Sequence, residues 1–572
     1  MSASVAARGW ARERGASVAT RFPWLIDGYR AVRRPHWALM ERRDLAQTRR
    51  ETAWVRRLPA PARDAPVALV ALYRDDVFDA KIGLVLATAL RMHGMRPVLT
   101  VPSARTRRAI HYGRAFGVGD CILQEDVALD PADERGRDRA ADDLLAGPLD
   151  FDSITEWDFR GWNVGRHVLS TLIRLTFDGA PDLSVDSHRV LLGDVTREVL
   201  TNLLRAERVF DDLRPTVVVL EEANYSVNGP LADVATARGA DVVQTIQTWR
   251  DDALMSKRLT AANRREDPKS VAPETFARLA STPWTSALDD ELDHDFAQRY
   301  GGSWQLSRQF QPDTEARSRD EVLDELDLDP SKKTAVVFAH VLWDATLFFG
   351  VDLFANYSDW LVQTVGAAIE SPGVNWIVKT HPSNVFRSAH GDVSGEASEL
   401  VLLEEHFAHL PTHVRILRPE TAISSLSLYR MADYGVTVRG TPGLEMASLG
   451  RAVFTAGTSA YAGHGFTHDS ATRDEYLGRL RTIDEYGPLT DEQTRLARRA
   501  AHALFVRRPW APRSFRLTFD FPERGWNPFD RNVTLLAASA DAVHAAGDLD
   551  RWAEWVLGSR DADYLDHDLP PA

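Results

Sequence analysis

Two separate stretches of this 572-residue chain alternate short β-branched runs with helix-spaced segments, and nothing else in the sequence restricts the fold as much. That rhythm builds open parallel sheets with helices on both faces. The first stretch opens at Val67 to Tyr73, after Pro59, Pro61 and Pro66. Val77 to His93 has helical spacing, Gly94 closes it, and Arg96 to Val101 predicts the next strand. Val164 to Phe177 predicts a helix, Thr216 to Leu220 a buried strand, Gly229 to Arg238 a helix and Asp241 to Ile246 a strand. Residues 125–150 are acidic and aperiodic, and a loop is expected there.

The second stretch starts at Thr334 to Val341. Further strands are expected at Val374 to Thr380, His413 to Leu417, Tyr434 to Val438 and Ala452 to Thr455. Helices are expected at Leu353 to Glu370, Ser424 to Ala432, Gly443 to Gly450, Arg473 to Tyr486 and Asp491 to Val506. Residues 262–332 carry many charges and few long apolar runs, which suits short connecting helices. The fold class is therefore α/β, with two Rossmann-like doubly wound domains facing a cleft. A chain this long exceeds what one hydrophobic core serves. The expected divisions are a basic helical leader at 1–60, a first domain at 61–315, a second at 316–510 and a tail at 511–572.

Charge separates the leader from the rest. Residues 1–60 hold 13 Arg and no Lys against five acidic residues, near +8, so the remainder of a chain of net charge −14 is near −22. An acidic body argues against nucleic acid as partner. The leader, with Trp10, Trp24, Trp37 and Trp54 interleaved, suits either an anionic membrane surface or a solvated helix packed on the first domain. Cys121 is the single cysteine, so no internal disulfide or thiolate metal site exists. No apolar signal segment and no run of about 18 apolar residues is present, so a cytoplasmic location is expected, with peripheral contact at the inner membrane face as an option.

Ligands of doubly wound sheets sit outside the carboxyl ends of the strands. Lys379-Thr380-His381-Pro382 ends the strand WIVKT; an ammonium and an imidazole there suit a phosphate, while a His bonding local backbone is the plain alternative. Arg439-Gly440-Thr441-Pro442-Gly443-Leu444-Glu445 runs from strand into helix. Its glycines permit close approach, Thr441 sits at the expected cap, and the free N–H groups of the helix attract an anion. Glu445, in the first turn, is able to accept ribose hydroxyls or simply to favour the helix dipole. Gly457 and the segment Tyr461 to Thr467 form a glycine-rich loop after the next strand, suited to wrapping a sugar or base, or to nothing. His340 follows the first strand of the second stretch and lies where a cleft wall is expected, with Asp344 close behind it.

These segments, WIVKTHP, YGVTVRGTPGLEMASLGRAVFTAGT and YAGHGFT, resemble the capsule polysaccharide biosynthesis proteins, which include bacterial Kdo transferases of GT-B fold. The resemblance covers roughly residues 334–510 and reaches the first half only weakly. It implies a GT-B-like architecture in which the first domain takes the acceptor and the second a nucleotide sugar. It implies that Lys379 and His381 face phosphate, that Thr441 and Gly443 cradle it, and that Glu445 holds ribose. Arg439-Gly440-Thr441-Pro442 departs from the small hydroxyl residues usual in that family. In such folds the last helix crosses back to the first domain, and Arg507-Arg508-Pro509-Trp510 marks the expected turn.

A catalytic carboxylate is expected from the first domain. Glu221-Glu222-Ala223-Asn224 and Arg74-Asp75-Asp76 both follow strands, and Glu222, Glu221 and Asp76 are the candidates. The first of these segments loosely resembles the paired-acid motif of GT-B sialyltransferases that use CMP-sugars, with Ala223 in place of Gly. Burial in a cleft raises a carboxylate's pKa toward one suited to accepting a hydroxyl proton. Gly161 to Arg166, and Arg174, suit anionic groups of an acceptor or plain capping. No metal motif is present and no cofactor is expected, the nucleotide sugar being a substrate.

The expected activity is thus glycosyl transfer, from a nucleotide sugar of which a CMP-sugar is one candidate, to a surface polysaccharide or glycolipid. A UDP-sugar 2-epimerase of the same fold and a non-catalytic polysaccharide biosynthesis or export protein are the alternatives.

Overall fold

The computed structural model describes residues 28, 29, 31–308, 316–344, 347–384, 397–521 and 527–566. Trp10 and Trp24 of the leader lie outside the described residues.

The first sheet contains β1 (Val67–Ala71), β2 (Arg96–Val101), β3 (Cys121–Leu123), β4 (Val217–Leu220), β5 (Asp241–Gln247) and β6 (Leu254–Leu259), in the order β3-β2-β1-β4-β5-β6. All neighbours are parallel except β6, which runs antiparallel to β5. The second contains β7 (Thr334–Phe338), β8 (Asn375–Lys379), β9 (Val414–Leu417), β10 (Tyr434–Thr437), β11 (Ala452–Thr455) and β12 (His468–Asp469), in the order β9-β8-β7-β10-β11-β12, all parallel. Both orders are that of the dinucleotide-binding doubly wound fold, in which the order reverses beside the first strand and opens a crevice there. The chain is GT-B-like: two such halves face one cleft.

The strands are apolar on both sides because both faces are covered. Ala68 and Val70 enter one core and Val67, Leu69 and Ala71 the other; Ala335 and Val337 are likewise divided from Val336 and Phe338. One face of the first sheet is closed by the end of the chain. Phe515, Leu517 and Phe519 of a hairpin (Phe515–Phe519 with Arg531–Leu535) and Trp552 and Val556 of the helix Asp548–Gly558 join its core. The entry point is Trp510, whose N–H and carbonyl pair with Leu254 at 2.8 and 3.0 Å. Arg508, with no exposed surface, donates to the Ser256 carbonyl at 2.9 Å and lies 3.4 Å from Asp563. The Arg507 to Trp510 turn is therefore the crossover.

One local expectation is corrected, and two further elements lie where none was expected. Residues 131–146 form a helix, Pro131–Ala146, with proline and two acids in its first turn. Only Ala141 of it is buried, so an apolar stripe was never legible. The 28-residue helix Asp186–Leu213 fills the unread interval before β4. β6 was concealed by Lys257 and Arg258, fully buried yet bonded to Glu266 and Ser270 and to Asp241.

Candidate functional site

Strand register sets the site. Lys379 pairs with both Phe338 and Leu417, and Val436 with Val337, so these strands end at one level and the residues after them emerge along one lip. Opposite lie the residues after β4 and β5. The cleft between them has a volume of about 470 Å³, within the range of small-molecule sites. The structure brings Lys379, His381, Pro382, Arg439, Gly440, Thr441, Glu445 and His340 to it from the second half, and Glu221 and Glu222 from the first.

Lys379 is 4% exposed and makes no hydrogen bond or ion pair among the described residues. Burial lowers its pKa to about 8, with Glu420 offsetting part of the shift. Beside it the His-Pro turn is pinned. Thr380 gives its hydroxyl and N–H to the Leu417 carbonyl at 2.7 and 3.1 Å. The His381 N–H points to Glu399, a fully buried carboxylate that also accepts from Asn384. His381 Nδ1 accepts from the Ser383 N–H at 3.2 Å and lies 2.7 Å from Ser383 Oγ, an arrangement that favours the ring proton on Nε2.

His340 has the opposite tautomer. Its Nε2 accepts from the Val438 N–H at 3.3 Å and contacts Thr437 Oγ1 at 3.1 Å, and its ring stacks on Tyr357 at 4.4 Å. Burial, with Arg439 and His381 adding to it, holds its pKa well below the ordinary value, so it is a neutral wall that orders the β10 turn. Arg439 is spoken for: it pairs with Asp352 and donates to the Phe349 carbonyl, and burial lowers its pKa to about 10.

The glycine turn differs from its expected form. Gly440, not Thr441, is the N-cap of the helix Thr441–Ser448, and its N–H goes to Thr437 Oγ1 at 3.2 Å. Thr441 is the first helical residue, and its hydroxyl accepts from Arg299 at 3.3 Å. Pro442 has no N–H and Gly443 gives its own to the Gly440 carbonyl, so the helix start offers few donors. Gly443 does not line the cleft. It leaves room for Tyr461, whose hydroxyl oxygen would be 2.1 Å from an added Cβ and which donates to the Gly440 carbonyl at 2.6 Å. Gly457 is also off the cleft, packed on Val351 and Asp352. Glu445 reaches the cleft wall, but it is 1% exposed and both its oxygens are engaged, one 3.2 Å from Arg299 and the other accepting from the Tyr300 hydroxyl. It seats the helix on the connecting helix Ser286–Tyr300.

On the facing wall, Glu222 Oε1 accepts from the N–H groups of Ala223 and Asn224 at 2.9 and 3.1 Å, and Oε2 has no bond among the described residues. Burial raises the Glu222 pKa, the two N–H groups opposing it. Glu221 is paired with Arg74, which also lies 3.0 Å from Asp79. Asp76 is corrected: it caps the helix Val77–Met92, accepting from Phe78 and Asp79 N–H at 2.9 and 3.1 Å, sits 3.2 Å from Arg531 and does not line the cleft. Asp75 accepts from the Arg108 N–H at 2.7 Å, and the Arg108 side chain lies 3.0 Å from Glu41 of the leader helix Pro35–Glu51.

Sequence reasoning missed Trp249, Lys269 and Arg299, all in the cleft. The indole has Lys269 and Arg299 each 5.3 Å from its centroid. Trp249 follows the end of β5 and is legible by the same strand-end rule; Arg299 has no sequence signal. Among the described residues no group of three or more His, Cys, Asp or Glu side chains is disposed to hold a metal ion.

Fold and cleft together define a two-domain, doubly wound α/β protein with a polar site between strand ends. No family model and no curated protein matches the sequence. Among solved structures it overlaps KpsC from Thermosulfurimonas dismutans, a beta Kdo 2,4 transferase, at 16% identity over 55% of this chain and 85% of that one, with a TM-score of 0.32. It overlaps UDP-GlcNAc 2-epimerase from Neisseria meningitidis at 9% identity over 77% and 97%, TM-score 0.25, and the spinosyn rhamnosyltransferase SpnG at 12% over 76% and 95%, TM-score 0.24. Overlaps at these scores say nothing of chemistry, and the fold stands on its strand orders.

Proposed function

We propose that the chain is a GT-B-type glycosyltransferase that takes a sugar from a nucleotide donor and passes it to a surface polysaccharide or glycolipid. The observation that carries this reading is Lys379, a buried ammonium with no hydrogen bond or ion pair among the described residues, at the end of β8 and across the cleft from Glu222. A cation kept in that state costs the fold stability unless an anion arrives to pair with it. A donor phosphate is such an anion, and His381 Nε2 adds a second donor on the same lip. As the glycosidic bond to phosphate breaks, negative charge grows on the leaving oxygen, where Lys379 stabilises it.

Glu222 is the proton acceptor in this reading. Two N–H groups fix one oxygen, the other remains for an acceptor hydroxyl, and burial brings its basicity toward the working range. Trp249 and Lys269 line the same wall and suit a sugar ring and an anionic substituent. Glu445 is reassigned from ribose contact to anchoring the Arg439 turn. Peripheral membrane contact in this reading falls to the last turn of the helix Pro35–Glu51, where Arg49 and Arg50 lie. Among the described residues no helix is long and apolar enough to cross a membrane.

The test is a thermal-shift panel of CMP, CDP, UDP and GDP, followed by nucleotide-sugar turnover with and without glycan acceptor. One nucleotide raises the melting temperature by mass action, His381→Ala weakens the shift, and nucleotide release requires acceptor. No shift with any nucleotide removes the reading, and acceptor-independent turnover replaces it with epimerisation.

A further inference from the structure

The turn carrying Glu222 is not held by the first half alone. Arg264 donates to the Ala223 carbonyl and, at 3.4 Å, to Asn224 Oδ1, and its Nε lies 2.6 Å from Asp233 Oδ1. The other Asp233 oxygen is 2.7 Å from His167 Nε2, and His167 Nδ1 is 3.4 Å from the Asn224 carbonyl. Burial alone would raise the Asp233 pKa, but Arg264 and His167 outweigh it and hold it low. The packing has no slack, since a Cβ on Gly229 would stand 2.2 Å from His167 Nδ1.

Onto this network the second half sets one side chain. Phe348, 4% exposed, stacks on the His167 ring at 4.7 Å and 27°, with the Arg264 guanidinium carbon 4.4 Å from its centroid. Its neighbours tie it to both sides: the Leu347 carbonyl accepts from Arg166 at 3.4 Å, and the Phe349 carbonyl accepts from Arg439. From the β10 lip to the Glu222 turn the connection is thus Arg439, Phe349, Phe348, then His167 and Arg264. An apolar ring over Arg264 and His167 excludes the water that competes for their bonds to Ala223 and Asn224.

We propose that Phe348 is a positioning residue: seated across the cleft on His167 and Arg264, it fixes the Glu222 turn, so that the acid is poised only when the halves are apposed. This rests on Glu222 being the proton acceptor. It acts through Arg264 and His167 and touches no substrate.

The test uses the full chain and two readouts. Without substrates, Phe348→Ala is expected to speed amide hydrogen exchange at 222–226 tenfold or more while leaving 434–447 unchanged. In turnover, kcat is expected to fall tenfold or more with the donor KM within twofold, the acid limb of the pH profile moving to higher pH as Glu222 loses the Ala223 and Asn224 N–H groups. Phe348→Tyr restores both. Should the alanine variant fail to fold, Phe348→Leu, which keeps bulk and loses the ring faces, carries the same expectations at smaller size. Unchanged exchange at 222–226, or a loss lying wholly in KM, overturns the proposal. A wild type that transfers no sugar removes the transferase reading and leaves the exchange arm to decide this one.

Discussion

The two sheets share one strand order and treat charge at their carboxyl ends in opposite ways. After the first sheet the acids other than Glu222 are paired within the fold: Glu221 and Asp79 share Arg74, Asp76 has Arg531 and Asp233 has Arg264. After the second, Arg439 and Arg299 have their carboxylates, but Lys379 has none among the described residues. Charges that close on one another are scaffold. A buried charge left open costs stability, and its pairing is expected to come from outside the chain. Glu222 is the first half's counterpart, one oxygen held and one left unbonded.

The largest expected effect tests the Glu222 side of that contrast. Glu222→Gln keeps the shape and removes the base, so kcat is expected to fall by about 10² to 10⁴ with nucleotide affinity unchanged; single-turnover kinetics beside a binding titration checks it. Next is the cost of the open cation. The folded ammonium titrates near 8 and the unfolded one near 10.5, so between those values the unfolded chain holds the extra proton and stability rises with pH. Lys379→Met is therefore expected to stabilise the unliganded protein by about 3 kcal/mol at pH 7, the gain vanishing by pH 10.5. Urea unfolding at pH 7, 9 and 10.5 measures it, and a loss of stability at pH 7 breaks the contrast.

Smaller effects sharpen the scaffold side. Gly443→Ala forces a methyl into Tyr461 and is expected to cost about 1–3 kcal/mol. Tyr461→Phe in the same chain, removing the offending hydroxyl, recovers part of it. Asp76→Ala removes a helix cap and is expected to cost about 1 kcal/mol, leaving kcat at wild-type level; a hundredfold loss of activity would return Asp76 to the chemistry.

Why some of this was legible and some not follows from the residues. The strands at 67–71, 334–338 and 375–379 announce themselves because both their faces are buried and apolar. The strand-end rule then locates His340, Lys379, His381, Arg439 and Glu222 without further knowledge. What the rule does not reveal is whether a strand-end group is already spoken for. Glu445 reads as a ligand until Arg299 and Tyr300 arrive from a connecting helix about 145 residues away. Gly443 reads as a cradle until Tyr461 fills the space. Asp76 follows a strand but turns back to cap its own helix. Such contacts depend on pairings distant in sequence, which a motif does not record. Phe348 gave no signal, because its partners belong to the other half.

Isothermal titration of wild type and Lys379→Ala with the nucleotide that stabilises the protein is the most direct measurement. A phosphate seated on Lys379 predicts at least tenfold weaker binding in the variant, and in wild type at pH 8.5 a net uptake of protons as the largely neutral amine recharges against the anion. Equal affinity in the two proteins, with no proton uptake, would show that the open cation is not where the donor sits.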